Sequence, residues 1–305
     1  FQRVFFPLNR VFFTIQAVWF IKRSNVGSAY SRDLLLSFWA NLLTKKTVVF
    51  EDHEPKKSRQ SLYKFILQRI SKKVIVAKGL SKLYEELGVA SDSYIWIPNG
   101  VDIKAFTSRE VDRTIWNRKL GIPTNKKIIL YTGHFYDWKG VPTLVDSAGH
   151  LPDDVVIVLI GGTESDYKRV ETDIAERNIK NVYLHPFMTQ SEVISFVVAA
   201  DILVIPNTAK EARSMSYTTP IKLFEFMSSG VPIVASDIPS LRWFLESGKN
   251  CSLVEPDNAK ALGQACAALA QNEVKAREYS EQAKSDVLEY TWSKRAEKIL
   301  AYISN

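Results

Sequence analysis

From residue 127 onward, short apolar runs alternate with stretches whose apolar positions recur at helical spacing. The runs KIILYT (127–132), VVIVLI (155–160), VYL (182–184), ILVIP (202–206), PIVAS (232–236) and SLV (252–254) read as six buried strands. Helical patterns at 140–149, 164–176, 189–199, 220–229 and 239–246 separate them, and this alternation predicts a parallel sheet with helices on both faces. DNAKALGQACAALAQ (257–271) reads as a helix capped by Asp257. A second amphipathic helix follows, and TWSKRAEKILAYIS (291–304) makes the last one.

The first third follows the same grammar in shorter elements. Strands are expected at 26–30, 47–51 (TVVFE), 73–77 (KVIVA) and 94–98 (YIWIP), with helices at 31–44, 58–71 and 80–88. PNGVD (98–102) makes a sharp turn, and the polar stretch after Phe106 reads as a linker. The expected class is α/β: two Rossmann-like parallel-sheet domains, residues 1–106 and 107–288, with a C-terminal helix at 289–305. No glycine-rich loop follows an opening strand and no initiator methionine is present, so the first domain is expected to lack its opening β-α-β portion.

Composition narrows the class without changing it. At 305 residues the chain is long enough for two cores, and 46% hydrophobic with 24% charged residues is a globular balance. Cys251 and Cys266 have no metal or redox spacing and read as buried thiols in a reducing compartment. Charge does change the picture. Residues 1–75 hold 14 lysines and arginines against 4 acids, a net +10, while the whole chain carries +7. A basic end on a nearly balanced body points to an anionic partner: membrane surface, nucleic acid or acidic substrate. No nucleic-acid recognition motif accompanies it, so nucleic acid is not expected.

The opening FQRVFFPLNRVFFTIQAVWFIKR is the most apolar stretch. Its uncharged run from Val11 to Ile21 is short of the ~20 residues a membrane span needs. A signal peptide is excluded by the lack of a small-residue cleavage site. Two readings remain: a core helix of the first domain, or a helix in a membrane interface with Arg3, Arg10, Lys22 and Arg23 toward headgroups.

The candidate chemistry sits at strand ends. In YTTPIKLFEFMSSGVPIVASD (217–237), Pro220 suits a first helical turn and Thr218 or Thr219 can cap it. The free N–H groups of such a turn, with Lys222 beside them, form an anion site, and Glu225 can accept two hydrogen bonds from a ribose diol. Solvated Lys222 and Glu225 on a capped amphipathic helix would look the same. The loop YTGHFYDWKG (131–140) decides between them. It opens at the same sheet edge, with Gly133 allowing close approach to a ligand and Lys139 placing a second cation at a helix start.

PNGVD, TGHFYDWKG, VLIGG, AADILVIPN, PIKLFEFMSSGVPIVASD and LVEPDNAKAL, in this order and spacing, resemble the group 1 retaining glycosyltransferases of GT-B architecture from about residue 26 to the end. The resemblance implies two Rossmann-like domains facing across a cleft, the second holding a nucleotide sugar and the first an acceptor, with the final helix crossing back to the first domain. It implies that Glu225 holds the ribose and Lys139 the diphosphate, and that His53 in FEDHEP contacts the donor sugar. His53 and Glu225 are thus the catalytic candidates. Gly133, His134, Lys139, Thr218, Thr219, Pro220, Lys222 and Glu225 are the donor-binding ones. Two positions depart from the pattern. The family often has a further glutamate where this chain has Tyr217, and an arginine commonly follows the loop glycine, where this chain has His134.

The expected function is sugar transfer from a nucleotide diphosphate sugar to an acceptor hydroxyl with retained configuration, in cell-surface polysaccharide, lipopolysaccharide or glycolipid synthesis. The carbohydrate or lipid-linked acceptor is expected at the inner face of the membrane, with the protein cytoplasmic and in peripheral contact with anionic lipid. No metal is expected, since lysines already offset diphosphate charge and DHE (52–54) alone makes a poor site. The alternatives are a sugar-nucleotide epimerase of the same fold and a non-catalytic nucleotide-binding remnant.

Overall fold

The computed structural model describes residues 2–55 and 60–304, with the backbone alone for residues 2–8. Lys56, Lys57, Arg59, the first two positions of the helix expected at 58–71 and the Arg3 side chain therefore lie outside the described residues. The chain divides into two compact units. One comprises residues up to Asn99, Ser216–Thr218 and residues 293 onward; the other comprises Gly100–Met215 and Thr219–Trp292. The boundary drawn at residue 106 falls inside the second unit, because Val101 bridges to Thr291 and Phe106 is buried.

The first unit carries a four-stranded parallel sheet: β1 (Ser28–Ser31), β2 (Thr47–Asp52), β3 (Lys72–Ile75) and β4 (Tyr94–Trp96), paired in chain order. Side chains alternate across β2 and β3 and build two layers. Phe50 and Ile75 face a cluster with Tyr63, Ile66, Leu67, Leu80 and Tyr84 from the helices Gln60–Leu67 and Leu80–Glu86. Val49 and Val74 face the other way and meet Ile97 and, from the far end of the chain, Ile299 with half-buried Tyr302 and Ile303. The last helix, Trp292–Ser304, is tied down by polar bonds as well: Lys72 Nζ donates to Tyr302 O at 2.5 Å, and Arg295 Nε to Pro98 O at 2.9 Å.

The opening helix Gln2–Arg23 settles on neither single reading of its sequence. Thr14, Val18 and half-buried Ala17 and Ile21 form one stripe, packed on Leu36 and Ala40 of the helix Leu34–Leu43 and on Val48 of β2. The opposite side leaves Phe12, Phe13, Ile15, Trp19 and Phe20 each more than half exposed. Among the described residues no helix is long and apolar enough to cross a membrane.

The second unit holds six parallel strands: β5 (Lys127–Gly133), β6 (Val155–Gly161), β7 (Val182–His185), β8 (Ile202–Ile205), β9 (Ile233–Ser236) and β10 (Ser252–Val254). Their order is β10-β9-β8-β5-β6-β7, the doubly wound arrangement. All seven residues of β6 are buried, as its unbroken apolar run requires of a central strand covered on both faces. The order reverses between β5 and β8. Ligands of such sheets bind where the loops leaving the carboxyl ends of these two strands diverge.

One expected cap is corrected. Asp257 does not cap the helix that follows; Asn258 does, its side chain accepting from Ala261 N at 2.9 Å. Asp257 instead adopts a left-handed conformation, φ 60°, and reaches back to the loop after β8. It accepts from Thr208 Oγ1 at 2.5 Å and Ala209 N at 2.9 Å.

Candidate donor site

Two segments of the second unit converge at the carboxyl end of β5. The first is the loop 133–140. Tyr131 Oη donates to His134 O at 2.6 Å, Arg169 Nη2 to Phe135 O at 2.8 Å, and Thr208 N to Trp138 O at 3.3 Å, so the loop backbone is fixed from three sides. Residues Asp137–Lys139 form a single 3₁₀ turn that ends at Gly140, φ 71°. A Cβ at Gly140 would fall on the Pro206 carbonyl at the end of β8, so glycine is required both by its conformation and by the close approach.

The second segment is the helix Ile221–Ser228. Pro220 stands at its N-cap in extended conformation, φ −64° and ψ 128°, rather than within the first turn. Neither threonine therefore occupies the capping position. Thr219 is buried in the second unit, whereas Thr218 groups with the first, next to Tyr217, which packs on the cluster around Leu80 and Tyr84.

Gly133 and Lys222 lie close together. A Cβ on Gly133, φ 123°, would meet Lys222 Nζ at 2.9 Å. The ammonium donates to Thr132 O and lies 3.9 Å from the centre of the Tyr131 ring. Burial, and then the charge of Lys139, push the Lys222 ammonium well below its usual pKa, with Glu225 opposing. Burial likewise raises the Glu225 carboxyl, while Lys222 pulls it back. Lys139, its Nζ 3.9 Å from the Trp138 ring centre, is lowered to about 8 by burial and by Arg213. This half-buried group of nearby cations with one carboxylate favours an anion, and the carboxylate favours hydroxyl donors.

His134 is exposed. It stacks on Tyr136, centroids 4.8 Å apart with planes 5° from parallel, and meets Phe187 edge-on at 5.1 Å.

His53 belongs to a separate cluster in the first unit. Glu51, at the end of β2, accepts from Tyr30 Oη, pairs with His53 Nε2, and receives Arg295 Nη2 at 2.6 Å. Arg32 Nε stands at 3.8 Å. Burial alone would raise the Glu51 carboxyl, but hydrogen bonds from His53, Tyr30 and Arg295 and the Arg295 charge outweigh it and bring it to about 2. The neighbouring Asp52 is committed to the hydroxyls of Tyr63 and Tyr84. Among the described residues no group of three or more His, Cys, Asp or Glu side chains is placed to hold a metal ion.

Two residues near the site carry no signal in the sequence. Arg213, on the short helix Ala212–Ser216, brings its guanidinium to 5.1 Å from the Trp138 ring centre. Asn207, 1% exposed, follows the Pro206 carbonyl that abuts Gly140, and its Nδ2 has no hydrogen-bond partner. Asn207 lies in the loop after β8 and Arg213 in the short helix that follows it, and the chain path around β8 brings them beside Lys139.

A family model described as glycosyl transferases group 1 matches residues 112–286. The chain is 26% identical over 277 residues to the phosphatidyl-myo-inositol mannosyltransferase of Mycobacterium leprae, covering 87% of this chain and 69% of that protein. It is 25% identical over 232 residues to the D-inositol 3-phosphate glycosyltransferase of Xylanimonas cellulosilytica, covering 73% and 53%. The aligned part thus spans between about half and two thirds of these relatives' length. Among solved structures, a glycosyltransferase from Rickettsia africae superposes with a TM-score of 0.83 at 19% identity, over 95% of this chain and 79% of that one. The Anabaena protein HepE in complex with UDP and glucose gives 0.83 at 16% identity, over 96% and 81%. Likeness at such identities establishes the fold, which is GT-B.

Proposed function

The chain belongs to the group 1 family of glycosyl transferases, and from that premise we propose that it moves a sugar from a nucleotide diphosphate sugar to an acceptor hydroxyl, with retained configuration. One observation carries the reading: Lys139, Lys222 and Glu225 meet beyond the carboxyl end of β5, two crowded cations beside one carboxylate. The cations take the diphosphate, and Glu225 takes the ribose hydroxyls. Fixed positive charge at the leaving diphosphate is stronger in the transition state than before it, because the anion develops as the glycosidic bond breaks. No side chain is assigned as a nucleophile toward the sugar. Attack is therefore assigned to the acceptor hydroxyl on the face the diphosphate leaves, with the departing phosphate oxygen taking the proton. His53 is assigned to the donor sugar. HepE, of the same fold, was crystallised with UDP and glucose, which supports a nucleotide-sugar donor.

The acceptor is assigned to an anionic membrane surface at the cytoplasmic side. Support comes from the exposed Phe12, Phe13, Trp19 and Phe20 side of the opening helix together with the basic excess of residues 1–75.

Calorimetry with UDP, GDP and ADP tests the donor site. One of them binds, and Glu225→Ala weakens it by ~1–3 kcal/mol, since unpaired ribose hydroxyls remain. Tyr217→Ala, in the other unit, leaves it unchanged. Equal affinity of Glu225→Ala and parent would overturn the donor assignment, and sugar released from a labelled donor without any acceptor would replace transfer by epimerase chemistry.

A further inference from the structure

The chain leaves β2 through Glu51, Asp52 and His53. Successive residues of an extended chain point to opposite faces, so Glu51 and His53 emerge together and Asp52 on the other side. Asp52 turns into the core, where the hydroxyls of Tyr63 and Tyr84 donate to it. Glu51, its side chain 7% exposed, divides its two oxygens. Oε2 accepts from Tyr30 Oη of β1 and from Arg295 Nη2 of the last helix, the latter at 2.6 Å. Oε1 faces His53 Nε2, with Arg32 Nε further off at 3.8 Å. The other ring nitrogen, Nδ1, has no hydrogen-bond partner among the described residues, and the His53 side chain is 29% exposed.

We propose that Glu51 is a positioning residue for His53: Oε1 keeps the ring hydrogen on Nε2, so that Nδ1 meets a hydroxyl of the donor sugar as an acceptor. This rests on the assignment of His53 to the donor sugar made above. An ionised carboxylate only accepts, and a neutral imidazole donates from one nitrogen and accepts at the other. Glu51 stays ionised: burial opposes it, but bonds from His53, Tyr30 and Arg295 bring the carboxyl to about 2. Nε2 therefore carries the hydrogen and Nδ1 keeps its lone pair. The carboxylate is itself anchored, since Oε1 cannot swing away without Oε2 giving up Tyr30 and Arg295. A ring held in this way has its tautomer and its plane set before any ligand arrives.

The neutral isostere inverts the arrangement. In Glu51→Gln the carbonyl oxygen keeps the two donors Tyr30 and Arg295, which leaves the amide nitrogen facing His53. Nε2 must then accept, the hydrogen moves to Nδ1, and a hydroxyl that donated to Nδ1 loses that bond. Two readouts on the full chain test this. Nitrogen NMR of histidine-labelled protein, at a pH where imidazoles are neutral, shows which ring nitrogen of His53 is protonated, its signal being identified by its loss in His53→Asn. Calorimetry compares UDP-glucose, GDP-mannose and ADP-glucose, each with its own diphosphate. The parent shows the Nε2–H form and Glu51→Gln the Nδ1–H form, while Tyr30→Phe, which removes a bond to Oε2 alone, stays with the parent. Glu51→Gln weakens the sugar nucleotide that binds by about fivefold, the scale of one hydrogen bond, and leaves its diphosphate within about twofold. An Nε2–H ring in Glu51→Gln overturns the inference, as do equal affinities of that variant and the parent, or equal losses for diphosphate and sugar nucleotide; Glu51 is then a fold contact only. His53→Asn with the parent's affinity for the sugar nucleotide, or a parent that binds none of the three, overturns the sugar reading of His53 and this assignment with it, whatever the tautomer.

Discussion

Both units bury charge at the carboxyl end of a strand, and they treat it in opposite ways. In the first, Glu51 is enclosed by its own counter-groups: Arg295 at 2.6 Å, Arg32 at 3.8 Å, and the Tyr30 and His53 side chains. In the second, burial and then the charge of Arg213 depress Lys139, and burial and then the charge of Lys139 depress Lys222, with Glu225 opposing. A buried carboxylate that carries its cation with it holds the fold together, here by fastening the last helix to β2. Lysines crowded by like charge gain from an anion that arrives from outside.

The largest effect should come from breaking the balanced cluster. Glu51→Ala removes the carboxylate that half-buried Arg295 faces at 2.6 Å, a change that costs roughly 3–5 kcal/mol. Hydrogen exchange of the β2 and β3 amides and denaturant unfolding should both register it, and a loss below ~1 kcal/mol would mean that Arg295 finds water instead. The sign with pH follows from a carboxyl depressed to about 2 in the fold. Its contribution is fully present above the unfolded value near 4.3 and is lost as pH falls from there toward about 2.

A smaller effect of opposite sign is expected in the second unit. The Lys139 ammonium titrates at about 8 in the fold against 10.5 ordinarily, so charge there is unfavourable below pH 8. As pH rises from about 8 toward 10.5 the unfolded chain binds more protons than the folded one, and the unit gains stability, by roughly 2 kcal/mol once partial exposure is discounted. Lys222, depressed by the same neighbours, adds in the same direction. Lys139→Gln should flatten the slope between pH 7.5 and 9.5 in thermal unfolding. A parent whose stability falls monotonically over that window would contradict the reading of Lys139 as an uncompensated cation.

The smallest effect sharpens the comparison most. A bound diphosphate supplies the missing counter-charge, raises the Lys139 ammonium back toward its ordinary range, and draws in a proton. At pH 8 binding should take up roughly half a proton, read as the dependence of calorimetric heat on the buffer's ionisation enthalpy. Binding with no proton uptake would place the phosphates away from Lys139.

Much of the architecture was legible from residue pattern. The unbroken VVIVLI run implied a strand covered on both faces, and β6 is buried along its whole length. PIKLFE and the loop ending WKG were marked by glycine, proline and lysine at strand ends, and the structure brings the two segments together at the carboxyl end of β5. Asp257 was misread for a definite reason. Its neighbourhood in sequence, an acid before a helical run, is that of a cap, but its partners Thr208 and Ala209 are supplied by another strand's loop. Arg213 carried no signal because an arginine in a short polar helix is ordinary until its neighbours are known.

The sequence by itself determined which segments become strands and helices, because burial on one face or two imprints a period on nearby residues. It also determined that cations stand at the carboxyl ends of two strands of one sheet. Only the tertiary structure decided which charges meet. The reversal of strand order between β5 and β8 sets Arg213 beside Lys139, and the return of the last helix to β2 gives Glu51 its arginine. Such pairings depend on chain segments far apart in sequence, so no local period records them, and yet they decide whether a buried charge is spent on the fold or kept for a ligand.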